Sequence, residues 1–138
     1  MMLDLILCVD DDPITLMLCK MVISHSEFAK TIITAQNGEE ALNYFDDLKL
    51  NNLGAAISDY PKLIFLDLNM PVMGGWEFLD HFSKEEYRSA FNECKVIVLS
   101  STIDPDDIRK AKTYPMVLDF LSKPISKEML EGLKSILS

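Results

Sequence analysis

The sequence predicts a three-layer α/β/α fold, with helices covering both faces of a five-stranded parallel sheet. Three observations lead there. Short apolar runs recur along the chain. Segments of helical period separate them. The two kinds alternate from one end of the sequence to the other. Such alternation implies parallel pairing, because each crossover helix returns the chain to the same end of the sheet.

The first run, Leu5–Val9, is apolar throughout, as suits a strand buried on both faces. Asp12 is a natural N-cap and Pro13 fits the first helical position, so a helix is predicted over Pro13–His25. Ile14, Met17, Leu18, Met21 and Val22 recur at helical spacing and are its expected core stripe, with Leu16, Cys19 and Ile23 off that stripe. Ala29–Ala35 is β-branched and reads as the second strand. Gly38–Leu50 follows as a helix with Ala41, Leu42, Phe45 and Leu48 on one stripe. A long connection with Gly54 and Pro61 leads to the strand Leu63–Leu66. The next helix is Gly75–Phe82, with polar residues 83–95 extending it towards Phe91. Val96–Leu99 is a fourth strand, and Asp104 and Pro105 start a helix through about Thr113. Val117–Leu121 is the fifth strand, and Ser126 caps a last helix, Lys127–Leu137. Right-handed crossovers then favour a doubly wound, flavodoxin-like (βα)5 order.

At 138 residues, the chain has the size of one domain, read here as 1–138 with a core of about 5–137. No repeat, low-complexity tract or linker divides it. No apolar stretch approaches bilayer length, and the first twelve residues lack the basic start of a signal peptide. A cytoplasmic protein is expected. The formal net charge of −9 argues against nucleic acid or an anionic membrane surface as partner. Cys8, Cys19 and Cys94 have no metal-ligand spacing, and Cys8 reads as a small buried hydrophobe. His25 and His81 stand without a second ligand at metal spacing.

Chemistry-bearing residues follow four of the five apolar runs. Asp10 and Asp11 follow the first, Asp67 the third, Ser100 and Ser101 the fourth, and Lys123 the fifth after Ser122. In a parallel sheet these positions share one edge, where ligands bind in open α/β folds. Clustered carboxylates resist joint ionisation unless a cation offsets them. Mg²⁺ does so with one or two carboxylates, waters and phosphate oxygens, and Asp10, Asp11 and Asp67 suit it. A carboxylate can also act as a nucleophile and form an aspartyl-phosphate. The Lys123 ammonium and the Ser100 hydroxyl would then stabilise phosphoryl oxygens. Taken singly, each feature is ordinary cap or turn chemistry. Their shared edge gives them one purpose.

The segments Ile6–Pro13 (ILCVDDDP), Ile64–Gly75 (IFLDLNMPVMGG), Val96–Ser101 (VIVLSS) and Phe120–Pro124 (FLSKP) together resemble the receiver domains of response regulators in two-component signalling. The resemblance runs from Leu5 to about Leu137. It implies Asp67 as phosphoacceptor, and Asp10 and Asp11 as the acidic pair, with Asp11 the direct Mg²⁺ (or Mn²⁺) ligand. Asn69 would supply a backbone carbonyl to the metal. Ser100 would be the switch hydroxyl, Lys123 the phosphate-pairing lysine, and Phe120 the mobile ring of the switch. A cis bond before Pro124 is also implied. Asn69 and Thr102 occupy positions that tune phosphate loss in the family. The implied partners are a histidine kinase or histidine phosphotransfer protein and a downstream protein target. The target would read the face formed by the fourth helix, fifth strand and fifth helix. No attached output domain is expected, and no enzymatic activity beyond assisting its own phosphorylation and dephosphorylation. Leu16, Cys19 and Ile23 are assigned, over simple burial, to a docking face for the phosphate donor.

Three departures from the family pattern stand out. Gly74 replaces a usual Asp or Asn, Tyr114-Pro115-Met116 replaces a usual Gly-Ala, and the connection before Leu63 is long. Two other functions are compatible with acids after strands. A haloacid-dehalogenase-type phosphatase would want D-x-D-x-[TV], which neither Asp10–Ile14 nor Asp67-Leu68-Asn69 satisfies. A degenerate, metal-free scaffold module would lack one of the key acids or the lysine, and here all are present.

Overall fold

A computed structural model describes residues 2–137. The strands are β1 (Leu3–Val9), β2 (Ala29–Ala35), β3 (Leu63–Leu66), β4 (Lys95–Ser100) and β5 (Val117–Ser122). The helices are α1 (Pro13–His25), α2 (Gly38–Asn51), α3 (Gly75–Phe82), α4 (Glu85–Arg88), α5 (Pro105–Ala111) and α6 (Lys127–Leu137). All strand pairs are parallel, in the order β2-β1-β3-β4-β5. This is the doubly wound flavodoxin-like order, whose switch point lies between β1 and β3. The face read from the sequence as fourth helix, fifth strand and fifth helix is therefore α5–β5–α6.

Local chemistry sets the element ends. Asp12 caps α1 by accepting from the Ile14 amide at 3.0 Å, with Pro13 at the first helical position. Asn37 caps α2 through the Glu40 amide, while the Glu40 carboxylate reaches back to accept from Gln36 N–H just before the cap. Asp104 accepts from the Asp106 amide to start α5, and Ser126 Oγ accepts from Met129 N–H ahead of α6.

Two expectations are corrected. The third helix does not run on to Phe91. It ends at Phe82, where the Ser83 hydroxyl donates to the Leu79 carbonyl, and a separate single turn, α4, follows. Tyr87 of that turn donates to Asp46 of α2 at 2.7 Å and is buried on the core, so tertiary contact redirects the chain. The face of α1 is also reversed. Leu16, Cys19 and Ile23 are buried against Ile6 and Cys8 of β1, whereas Ile14, Met17, Leu18 and Met21 are exposed. Helical period alone cannot choose between two apolar stripes on one helix. The assigned docking residues are core, and most of the expected core stripe is surface.

The sheet carries two cores. On one face α1 and α6 cover Ile6, Cys8, Phe65, Ile97 and Leu99. On the other, α2, α3 and α4 bring Phe45, Phe78, Phe82 and Tyr87 onto Leu7, Val9, Ile64 and Val98, with Phe91 just beyond α4. Phe45 lies 4.7 Å from Phe82 and 4.8 Å from Phe91, centroid to centroid, within the range of favourable aromatic pairs. All three cysteines are free and buried, and burial pushes the Cys19 thiol up to about 11 and the Cys94 thiol up to about 12. Among the described residues, no helix is long and apolar enough to cross a membrane.

Candidate functional site

The backbone ladder carries the functional residues to one edge. Asp10 N–H donates to Ala35 O at 3.0 Å, and Asp67 N–H to Val9 O at 2.9 Å. Each strand is thus paired up to the residue that delivers its carboxylate. Lys123 N–H donates to Ser100 O at 2.8 Å, which joins the ends of β4 and β5 in the same way. The Lys123–Pro124 peptide is cis.

Asp10, Asp11 and Asp67 converge at the switch point, each offering an oxygen within 4.8 Å of the others. Asp10 and Asp67 are buried, at 5% and 8% exposure, and Asp11 is exposed. Lys123 Nζ lies 2.5 Å from Asp10 Oδ2 and 3.2 Å from Asp67 Oδ1. Asp10 Oδ1 also accepts from Asp12 N–H at 2.9 Å. Asp10 is therefore engaged on both oxygens, while the exposed Asp11 is available to a ligand from solvent. Three acids around one ammonium leave an excess of negative charge, and their hard oxygens suit a small dication. The donor set fits Mg²⁺ or Mn²⁺.

The electrostatics match that geometry. Burial, and then the neighbouring Asp10 charge, push the Asp67 carboxyl above the usual carboxylate range, against the pull of Lys123. For Lys123, burial disfavours its charge. The hydrogen bond to Asp10 and the charges of Asp67 and Asp10 outweigh burial, and its pKa is raised. Lys123 is accordingly a fixed cation that faces Asp67.

Ser100 is buried at the end of β4, and its Oγ accepts from Thr102 N–H at 3.2 Å. Asn69 is exposed in the loop two residues after Asp67. Phe120 is half-buried on β5 and packs against the aromatic core. Thus the acids and Lys123 form one contact set. Ser100 joins them through the backbone of β4 and β5, Asn69 follows Asp67 by two residues, and Phe120 lies on β5 three residues before Lys123.

Sequence reasoning passed over what holds the Asp67 loop. A Cβ on Gly75 would lie 2.5 Å from the Asp67 carbonyl oxygen and 2.9 Å from Leu68 Cα, so only glycine admits this approach. It lets Gly75 N–H donate to Leu68 O at 3.0 Å and docks the start of α3 beside Asp67. The Gly-Gly pair was the available signal. At the loop tip, Val72 has φ of 69°, a strained value for a β-branched residue, and Met73 N–H closes a turn on Pro71 O at 2.7 Å.

Residues 6–133 match the family model of the response regulator receiver domain. The chain belongs to that family. Membership decides for a two-component receiver over the dehalogenase-type phosphatase weighed from the sequence. The receiver is 31% identical over 127 residues to a probable methanogenesis regulatory protein, FilR2, of Methanothrix harundinacea, covering 92% of this chain and 76% of that one. It spans only 44–47% of the length of the staphylococcal regulators it matches. A two-component response regulator from Cytophaga hutchinsonii has the same fold, with a TM-score of 0.86, 29% identity and coverage of 99% and 98% of the two chains. A phosphorylated cyanobacterial phytochrome response regulator, RcpA, superposes with a TM-score of 0.71 at 26% identity, covering 97% and 91%.

Proposed function

We propose that Asp67 accepts a phosphoryl group from a histidine kinase or histidine phosphotransfer protein, and that the modification switches a protein-binding surface. The observation that carries this reading is Lys123 held between Asp10 and Asp67 at the mouth of a three-carboxylate site. A carboxylate oxygen of Asp67 attacks phosphorus, the new O–P bond forms, and the donor's N–P bond breaks. The donor imidazole leaves with the bonding electron pair. Lys123 would pair with an oxygen of the transferred group. The Ser100 hydroxyl, at the end of the adjacent strand, is the group that would turn towards another. Asp10, Asp11, Asp67 and the Asn69 carbonyl would hold Mg²⁺ (or Mn²⁺). The bound metal supplies charge neutralisation and a coordination point for a phosphoryl oxygen. Phosphorylation recorded for RcpA, a receiver of the same fold, supports the reading by likeness.

Output follows from the same geometry. Movement of Ser100 and Phe120 would alter α5–β5–α6, the surface a downstream protein would bind. The donor would dock on α1, whose exposed Ile14, Met17, Leu18 and Met21 start beside the site at the Asp12 cap. The reading covers 1–138 as one cytoplasmic receiver, which assists its own phosphorylation and dephosphorylation and catalyses nothing else. Its test is metal dependence. Acetyl phosphate should add one phosphoryl group with Mg²⁺ present and almost none with excess chelator, by intact mass. Asp11→Ala should need far more Mg²⁺ for the same labelling. Labelling that is indifferent to the chelator would contradict the site.

A further inference from the structure

The corner between α5 and β5 is fastened to α3 by a contact outside the phosphoryl chemistry. Trp76 is the second residue of α3, and Tyr114 lies in the turn after α5. Their rings stack, with centroids 6.1 Å apart and planes 19° apart. The Tyr114 hydroxyl donates to Asp80 Oδ1 at 2.5 Å, and Asp80 lies one turn along α3 from Trp76. Lys110 of α5 completes the set, its ammonium 4.6 Å from the Trp76 ring centroid. Burial, and then Asp80, push the Tyr114 hydroxyl up to about 12, so it remains a donor near neutrality.

The two sides of this contact lead to opposite ends of the switch. The start of α3 is docked beside Asp67 through Gly75. The start of α5 follows Ser100 by a short loop capped at Asp104. A pull on Ser100 therefore acts on one end of α5 while Tyr114 restrains the other. An open cavity of about 200 Å³ lies at the junction of α5 and β5, lined in part by Ile108, Ala111, Val117 and Phe120, and leaves α5 room to shift. We propose that the Trp76–Tyr114–Asp80 contact is a latch that holds α5 in its resting position and opposes phosphoryl-driven switching. The inference rests on the receiver reading of Asp67.

A contact made in one of two states favours that state, and its removal must favour the other. Losing the latch therefore raises the affinity of the site for a phosphoryl mimic. The test is calorimetric titration of beryllofluoride in Mg²⁺ with wild type, Tyr114→Ala and Tyr114→Phe. Tyr114→Ala should bind on the order of fivefold more tightly, the low end of measured site-to-site couplings. Tyr114→Phe keeps the ring stack, loses the Asp80 hydrogen bond, and should fall between. Hydrogen exchange across residues 105–111 should be faster in Tyr114→Ala before any mimic is added. A folded Tyr114→Ala that binds with wild-type or weaker affinity overturns the latch and leaves the receiver reading intact. If that variant fails to fold, Tyr114→Phe decides, and unchanged affinity there overturns the latch equally. Wild type that binds no beryllofluoride overturns the receiver reading and the latch with it.

Discussion

The two faces of the sheet are covered by different kinds of helix. On one side, α2 buries Ala41, Leu42 and Phe45 and turns Glu39, Asn43 and Asp47 to solvent. With α3 and α4 it closes an aromatic core of Phe45, Phe78, Phe82 and Phe91. On the other side, α1 buries Leu16, Cys19 and Ile23, and its outer surface is largely apolar too. Ile14 at 64% exposure and Met17 at 53% are covered by no element among the described residues. One helix is amphipathic and serves the core. The other is apolar on much of its outer surface as well as its inner one, with Lys20 and Ser24 among the exceptions, and lies beside the candidate phosphoryl site. Contiguous exposed apolar surface marks interaction sites, so stability and recognition are expected to divide between the two sides.

The division can be tested hardest at Phe45. Phe45→Ala empties the centre of the aromatic cluster and should cost about 4 kcal/mol in denaturant unfolding, as large-to-small changes of buried Phe do. Labelling of the folded fraction by acetyl phosphate should be unaffected. Next comes the edge where the two faces meet. Lys123→Met removes the cation that, among the described residues, Asp10 and Asp67 share. It should cost about 3 kcal/mol in metal-free buffer, since two buried carboxylates are left facing each other. Its acetyl phosphate labelling should also fall sharply, which separates it from Phe45→Ala. The smallest effect on stability belongs to the outer face of α1. Met17→Glu with Met21→Glu should change unfolding by no more than about 0.5 kcal/mol. The same pair should slow transfer from a phosphorylated histidine kinase by about tenfold, a loss of 1.4 kcal/mol in docking, with acetyl phosphate labelling unchanged. A large loss of stability in that pair would erase the contrast between the sides.

These features were unequally legible in the sequence. The strands stood out because buried parallel strands are continuous apolar runs, and Leu63–Leu66 is found where it was read. Caps at Asp12, Asp104 and Ser126 were legible because their chemistry is local. The placement of Asp10, Asp67 and Lys123 at one edge followed from topology, which the alternation of elements already implied. What failed was non-local. The inward face of α1 is chosen by what β1 offers it, and periodicity carries no such information. The break after Phe82 depends on Tyr87 reaching Asp46, across a connection with no regular pattern. Trp76 stacks on Tyr114, 38 residues away (114 − 76), and only the fold joins them.

The central claim is that Asp67 is the phosphoacceptor. The most direct measurement incubates wild type and Asp67→Ala with acetyl phosphate and Mg²⁺, then reads intact mass and maps the modified peptide. Wild type is expected to carry a single phosphoryl group on the peptide that contains Asp67, and the variant none. No adduct on wild type, or an equal adduct on Asp67→Ala, would contradict it.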